Sequence, residues 1–166
     1  MKKGQVFTLD KIEKMIVELV ANERQKNKEN TGWDGYKTVA DKQGVELNIV
    51  GFGAEFIFCR EFNIHPDFKI HNTSKIKGTD NYDCMYKNKT IDVKVNRKVN
   101  NPLMIPFYAK SNCNIFALFV CKYPKYRFEG FATNEMIFKK SNLRMTRVEA
   151  YVLNKTKLLE FNELNI

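Results

Sequence analysis

Within residues 82–95, two short runs rich in β-branched and aromatic residues flank the polar pair Lys87-Asn88, and that pattern confines the segment to a β-hairpin. If Lys87-Asn88 is the whole turn, Tyr86 pairs with Lys89, and the same register carried further sets Asp83 opposite Asp92. A longer turn would leave the two aspartates as neighbours without opposing them. Side chains alternate along a strand, so Asp92 and Lys94 share one face while Ile91, Val93 and Val95 take the other. Opposed residues have Cβ atoms roughly 4.5–5.5 Å apart, and like charges at that spacing destabilise a sheet. Two aspartates there need a cation between them. Their hard oxygen donors suit Mg²⁺ or Mn²⁺. A hairpin with solvated acids is the alternative.

A third acid points the same way. Residues 49–62 carry Phe52, Phe56, Cys59 and Phe62 at helical spacing. At about 100° per residue, Glu55 falls inside that apolar arc. A carboxylate aimed at a core needs a partner. The partner is either a metal shared with Asp83 and Asp92, or a buried arginine or lysine.

The ordered set of Glu55 on a helix, then Asp83, then Asp92-x-Lys94 on a hairpin resembles the PD-(D/E)XK nuclease superfamily, whose fold is shared with type II restriction enzymes. Gly53-Ala54-Glu55, Pro66-Asp67, residues 78–83, Ile91-Asp92-Val93-Lys94 and Phe128-Glu129-Gly130-Phe131 are similar in particular to small phage-encoded nuclease-like proteins. Tyr82 stands where the motif often has proline, and Asp80 is an alternative metal ligand to Asp83. The resemblance implies a mixed α/β fold: a restriction-endonuclease-like core with a central mixed sheet flanked by helices, plus an extra N-terminal helix. It implies a Mg²⁺-dependent nuclease, an endodeoxyribonuclease, with Glu55, Asp83, Asp92 and Lys94 catalytic. Asp83, Asp92 and Glu55 would hold the metal, which polarises the phosphate and activates a water. Lys94 would orient that water and stabilise the charge that develops. The products would be a 5′-phosphate and a 3′-hydroxyl. The alternative is a non-cleaving DNA-binding or regulatory protein on the same scaffold.

Composition fits a nucleic-acid partner. The chain has 28 Lys and Arg against 19 Asp and Glu, a net charge of +9, and such a field attracts phosphate backbones. Arg97, Lys98 and Lys110 follow the hairpin in a basic, proline-broken stretch and are the expected phosphate contacts. Cutting both strands of a duplex would favour a homodimer. The 166 residues suit one domain: an N-terminal helical extension over 1–44, a core over 45–140 and a C-terminal elaboration over 141–166. No apolar run reaches the length of a membrane span or a signal peptide. Cys59, Cys84, Cys113 and Cys121 lack metal-site spacing, and His65 and His71 read as loop residues. The expectation is reduced thiols in a cytoplasm, the host's if the chain is phage-encoded.

The rest of the chain supplies scaffold. Residues 9–28 form an amphipathic helix opened by an Asp10–Glu13 capping pair, with Arg24 in its basic, solvated end. Residues 29–44 read as a link whose Trp33 and Tyr36 anchor that helix or stack on bases. Residues 115–121 are continuously apolar and read as a strand buried on both faces. A second strand over 126–132 and a short helix after Thr133 follow, and 144–166 are open between strand and helix. Gly51-Phe52-Gly53 resembles the start of a dinucleotide-binding turn, but Phe56 stands where its third glycine belongs.

Overall fold

A computed structural model of the chain describes residues 1–30, 41–70 and 82–164. In chain order the elements are β1 (Val6–Thr8), α1 (Lys11–Asn30), α2 (Asp41–Glu61), β2 (Cys84–Tyr86), β3 (Lys89–Asn96), β4 (Leu103–Pro106), β5 (Ile115–Lys122), β6 (Lys125–Thr133), α3 (Asn134–Ile137), β7 (Leu143–Met145) and β8 (Glu149–Leu153). The fold is mixed α/β.

The reciprocal cap at the start of α1 forms as expected. Glu13 N–H donates to Asp10 Oδ1 at 2.8 Å, and Asp10 N–H donates to Glu13 Oε2 at 2.9 Å. This satisfies two amides that a bare helix end would leave orphaned. The second helix begins at Asp41 and not at Ile49, so residues 41–44 of the expected link are helical. Residues 31–40, with Trp33 and Tyr36, lie outside the described residues. Gly51 and Gly53 fall inside α2, which removes the dinucleotide-binding turn.

The central sheet is mixed, in the order β1-β6-β5-β3-β2. Strands β3 and β5 are parallel, and the other neighbours are antiparallel. Strand β1 is the far edge of this sheet, so the N-terminal segment is a part of the core as well as a helical extension. Strand β5 is buried over Ile115–Cys121, as its unbroken apolar run requires. On one face Ile91, Val93, Ala117 and Phe119 pack with Val17 of α1 and Phe52, Ile57 and Phe58 of α2. On the other face Phe116 and Leu118 pack with Leu103, Ile105, Tyr151 and Leu153.

The sequence predicts a central mixed sheet flanked by helices; helices cover the first face, and the layer on this second face is of another kind. It is a three-stranded antiparallel sheet, in the order β4-β8-β7. Strand β4 lies in the stretch read as proline-broken: Pro106 sits at its last position, and β4 is an edge strand, where proline is tolerated. Strands β7 and β8 account for part of the ambiguous C-terminal region. The link between parallel β3 and β5 therefore crosses the central sheet through a strand, not a helix.

Candidate active site

Lys87 and Asn88 both adopt left-handed backbone, with φ of 47° and 61°. Two such residues in a row give a tight hairpin turn whose twist matches that of its strands. The pairs Tyr86–Lys89, Met85–Thr90 and Cys84–Ile91 form in the expected register. The ladder stops there, and the Asp83–Asp92 pair that would come next is not made. The chain bends at Asp83, whose N–H donates to the Ile91 carbonyl at 2.9 Å. Its carboxylate Oδ2 turns to accept the Val93 N–H at 2.6 Å. Direct opposition of two carboxylates is unfavourable. The bend avoids it and supplies an acceptor to a strand amide that β2 is too short to reach.

The shortness of β2 shapes the site. It pairs with Lys89–Ile91 only, and among the described residues no strand covers the same edge of β3 from Asp92 to Asn96. Asp92 and Lys94 are paired with Phe116 and Leu118, which places them on the face toward the second sheet. Glu55 comes from α2, which covers the opposite face. Around the open edge the charges of the two faces act on one another.

Asp92 is a buried acid, 8% exposed, and Lys94 Nζ lies 2.5 Å from its Oδ1. The mostly buried Glu55 is paired with Arg24, its Oε2 3.4 Å from Nη1. Arg24 is held on three sides. Its Nη2 donates to the Asp67 carbonyl at 2.7 Å, and its guanidinium carbon lies 4.6 Å from the centre of the Phe52 ring. Its buried Nε has no hydrogen-bond partner among the described residues. The sequence required a partner for Glu55, and an arginine read as a solvated helix end supplies it. Thirty-one positions separate the two residues, and no local pattern joins them.

Burial raises the carboxyl pKa of Asp83 well above its ordinary value, and the charges of Glu55 and Asp92 raise it further. Burial also raises that of Glu55, against the opposing pull of Arg24 and Lys94. For Lys94, burial alone would favour the neutral amine. The carboxylates of Asp92, Asp83 and Glu55 outweigh it and hold the ammonium above its usual range. The structure thus brings Glu55, Asp83, Asp92 and Lys94 into one electrostatic unit. It does not draw the acids into a coordination cluster: among the described residues no three His, Cys, Asp or Glu side chains form a group able to hold a metal ion.

The remaining expected residues are scattered. Arg97 is exposed and reaches Glu46 of α2 at 3.4 Å. Lys98 is exposed in the loop after β3. Lys110 lies on the side of the second sheet, with Nζ 5.4 Å from the centre of the Phe138 ring. Asp80 and His71 lie outside the described residues, and His65 packs edge-on against Phe68. No helix among the described residues is long and apolar enough to cross a membrane. No protein-family model, curated protein or solved structure matches the chain.

Proposed function

We propose that the chain is a divalent-metal-dependent nuclease of the PD-(D/E)XK type, hydrolysing DNA phosphodiester bonds as an endodeoxyribonuclease. One observation carries this reading: three acids and a lysine, drawn from one helix and one hairpin, gather around an open strand edge, where Lys94 is paired with Asp92 and burial raises the carboxyl pKa of Asp83 and Glu55. The donor set suits a hard cation, because the burial and neighbouring negative charge that raise the carboxyl pKa of Asp83 and Glu55 would be offset by a divalent charge among them. Asp83, Asp92 and Glu55 would hold Mg²⁺ or Mn²⁺. When bound, that ion would supply Lewis-acid polarisation of the phosphate and a more acidic water. Lys94, kept cationic by its neighbours, would hold a phosphate oxygen or the attacking water and stabilise the charge that develops. The net charge of +9 would draw the polyanion in.

A second reading has its own support. Each acid already has a protein partner: Arg24 for Glu55, the Val93 amide for Asp83 and Lys94 for Asp92. With no closed ligand cluster among the described residues, the same unit suits a protein that binds nucleic acid without cutting it. Linear, circular, branched and single-stranded DNA incubated with Mg²⁺ or EDTA separates the two. Cleavage that needs Mg²⁺ and disappears in Asp92→Asn supports the nuclease. Binding without cleavage on every substrate supports the second reading.

A further inference from the structure

The second sheet carries an aromatic feature that the acids do not use. Phe107 is 49% exposed and stacks on the buried Tyr151, with ring centroids 6.0 Å apart and planes 22° from parallel. Tyr151 meets Phe138 edge-on at 5.0 Å, and Phe138 meets Phe116 of β5 at 5.6 Å. The exposed ring is therefore backed by an aromatic column that ends in the central sheet. Tyr108, beside it in the chain, is 67% exposed. Lys110 places its ammonium 6.0 Å from the centre of the Tyr151 ring on which Phe107 rests.

Two adjacent exposed aromatic rings offer a stacking surface, and the local charge favours a polyanion on it. Residues 97–110 include Arg97, Lys98 and Lys110 and contain no acid. A flat ring held in place, with an exposed lysine three residues on whose ammonium lies by the ring beneath it, offers both parts of a nucleotide a contact, the face of the base and the phosphate. The chain then leads back to the acids. The Cys113 thiol donates to the Thr90 carbonyl at 3.1 Å, and Asn114 N–H donates to the Thr90 hydroxyl at 3.0 Å, two residues before Asp92. We propose that Phe107 and Tyr108 form a stacking platform for unpaired bases, with Lys110 on the adjoining phosphate, so that the site receives single-stranded nucleic acid. This rests on the nuclease reading for its purpose, though binding to the platform requires no cleavage.

The test is fluorescence anisotropy in EDTA, with a labelled mixed-sequence single-stranded oligonucleotide and the duplex of the same length. Wild type should bind the single strand more tightly. Phe107→Leu and Tyr108→Ala should each weaken single-strand binding by at least about fivefold, the weight of one base stack. Duplex binding should change by less than about twofold, and the unchanged duplex affinity also shows that the variants fold. Lys110→Gln should lower the salt dependence by roughly one phosphate contact. Tighter binding of the duplex by wild type, unchanged single-strand affinity in both aromatic variants, or equal losses on both ligands would overturn the platform. Because binding is read without metal, a failure to cleave in Mg²⁺ would remove the nuclease reading and leave this result standing. Unaltered affinity in these variants would do the reverse.

Discussion

Arg24 reaches from the first helix to Glu55 on the second, with its Nη1 3.4 Å from Oε2 and its guanidinium lying against the Phe52 ring. The pair is long for a hydrogen bond but mostly buried, so the arginine acts chiefly as a counter-charge. Replacing it with methionine keeps the packing on Phe52 and removes the charge. Arg24→Met should cost about 1–3 kcal/mol in urea unfolding, because Glu55 is left buried without its paired cation and with only the more distant pull of Lys94. Glu55→Gln in the same background should recover part of that loss. A double variant no more stable than Arg24→Met would show that the carboxylate was not the reason.

Lys94 and Asp92 are bound to each other at 2.5 Å, and both belong to the proposed machinery. Asp92→Asn keeps the size of the side chain and removes its charge. The rate of Mg²⁺-dependent cleavage should fall by at least about a hundredfold while the circular dichroism spectrum is unchanged. A variant that cuts at the wild-type rate would take Asp92 out of the site.

The acids also set a pH dependence. Asp83 has its carboxyl pKa raised by burial and by two neighbouring carboxylates, so the folded state retains a proton that the unfolded chain has released. The stability this brings is complete below the ordinary carboxyl range, around pH 4, and is lost as pH climbs through the raised value. Asp83→Asn does not titrate. In EDTA its stability relative to wild type should therefore increase from pH 4 to pH 8, measured by urea unfolding at each pH. A difference that shrinks over this window would reverse the sign of the shift.

Two glycines of α2 should respond in opposite ways. A Cβ on Gly53 would overlap Tyr126 Oη and lie 2.8 Å from its Cζ, whereas one on Gly51 would meet nothing within 4 Å among the described residues. Gly51→Ala should stabilise by about 0.5–1 kcal/mol through helix propensity alone. Gly53→Ala should destabilise by about 1–3 kcal/mol, since overpacking outweighs the same gain. Thermal unfolding of the two variants checks both signs. The Gly53 result also reports how closely the helix that bears Glu55 must approach the central sheet.

The hairpin was legible because its signals are local: a polar pair able to take positive φ, between runs that alternate. The Asp10–Glu13 cap and the doubly buried β5 were legible for the same reason. What escaped depends on partners far along the chain. Strands Val6–Thr8 and Leu103–Pro106 are three and four residues long, too short for a periodicity to declare itself. Each exists because of a ladder with β6 or β8, more than forty residues away. The site divides along the same line. Asp92-x-Lys94 follows from alternation within one strand. The bend at Asp83 follows from where β2 ends, and the Arg24–Glu55 pair from how two helices pack.

The most direct measurement is calorimetric titration of Mn²⁺ into the wild-type chain and into Asp83→Asn and Asp92→Asn, in low salt without nucleic acid. Saturable uptake by the wild type, weakened at least about tenfold in each variant, is the result expected of carboxylates that jointly hold an ion. No saturable uptake, or uptake equal in all three proteins, would contradict a shared metal site among Glu55, Asp83 and Asp92.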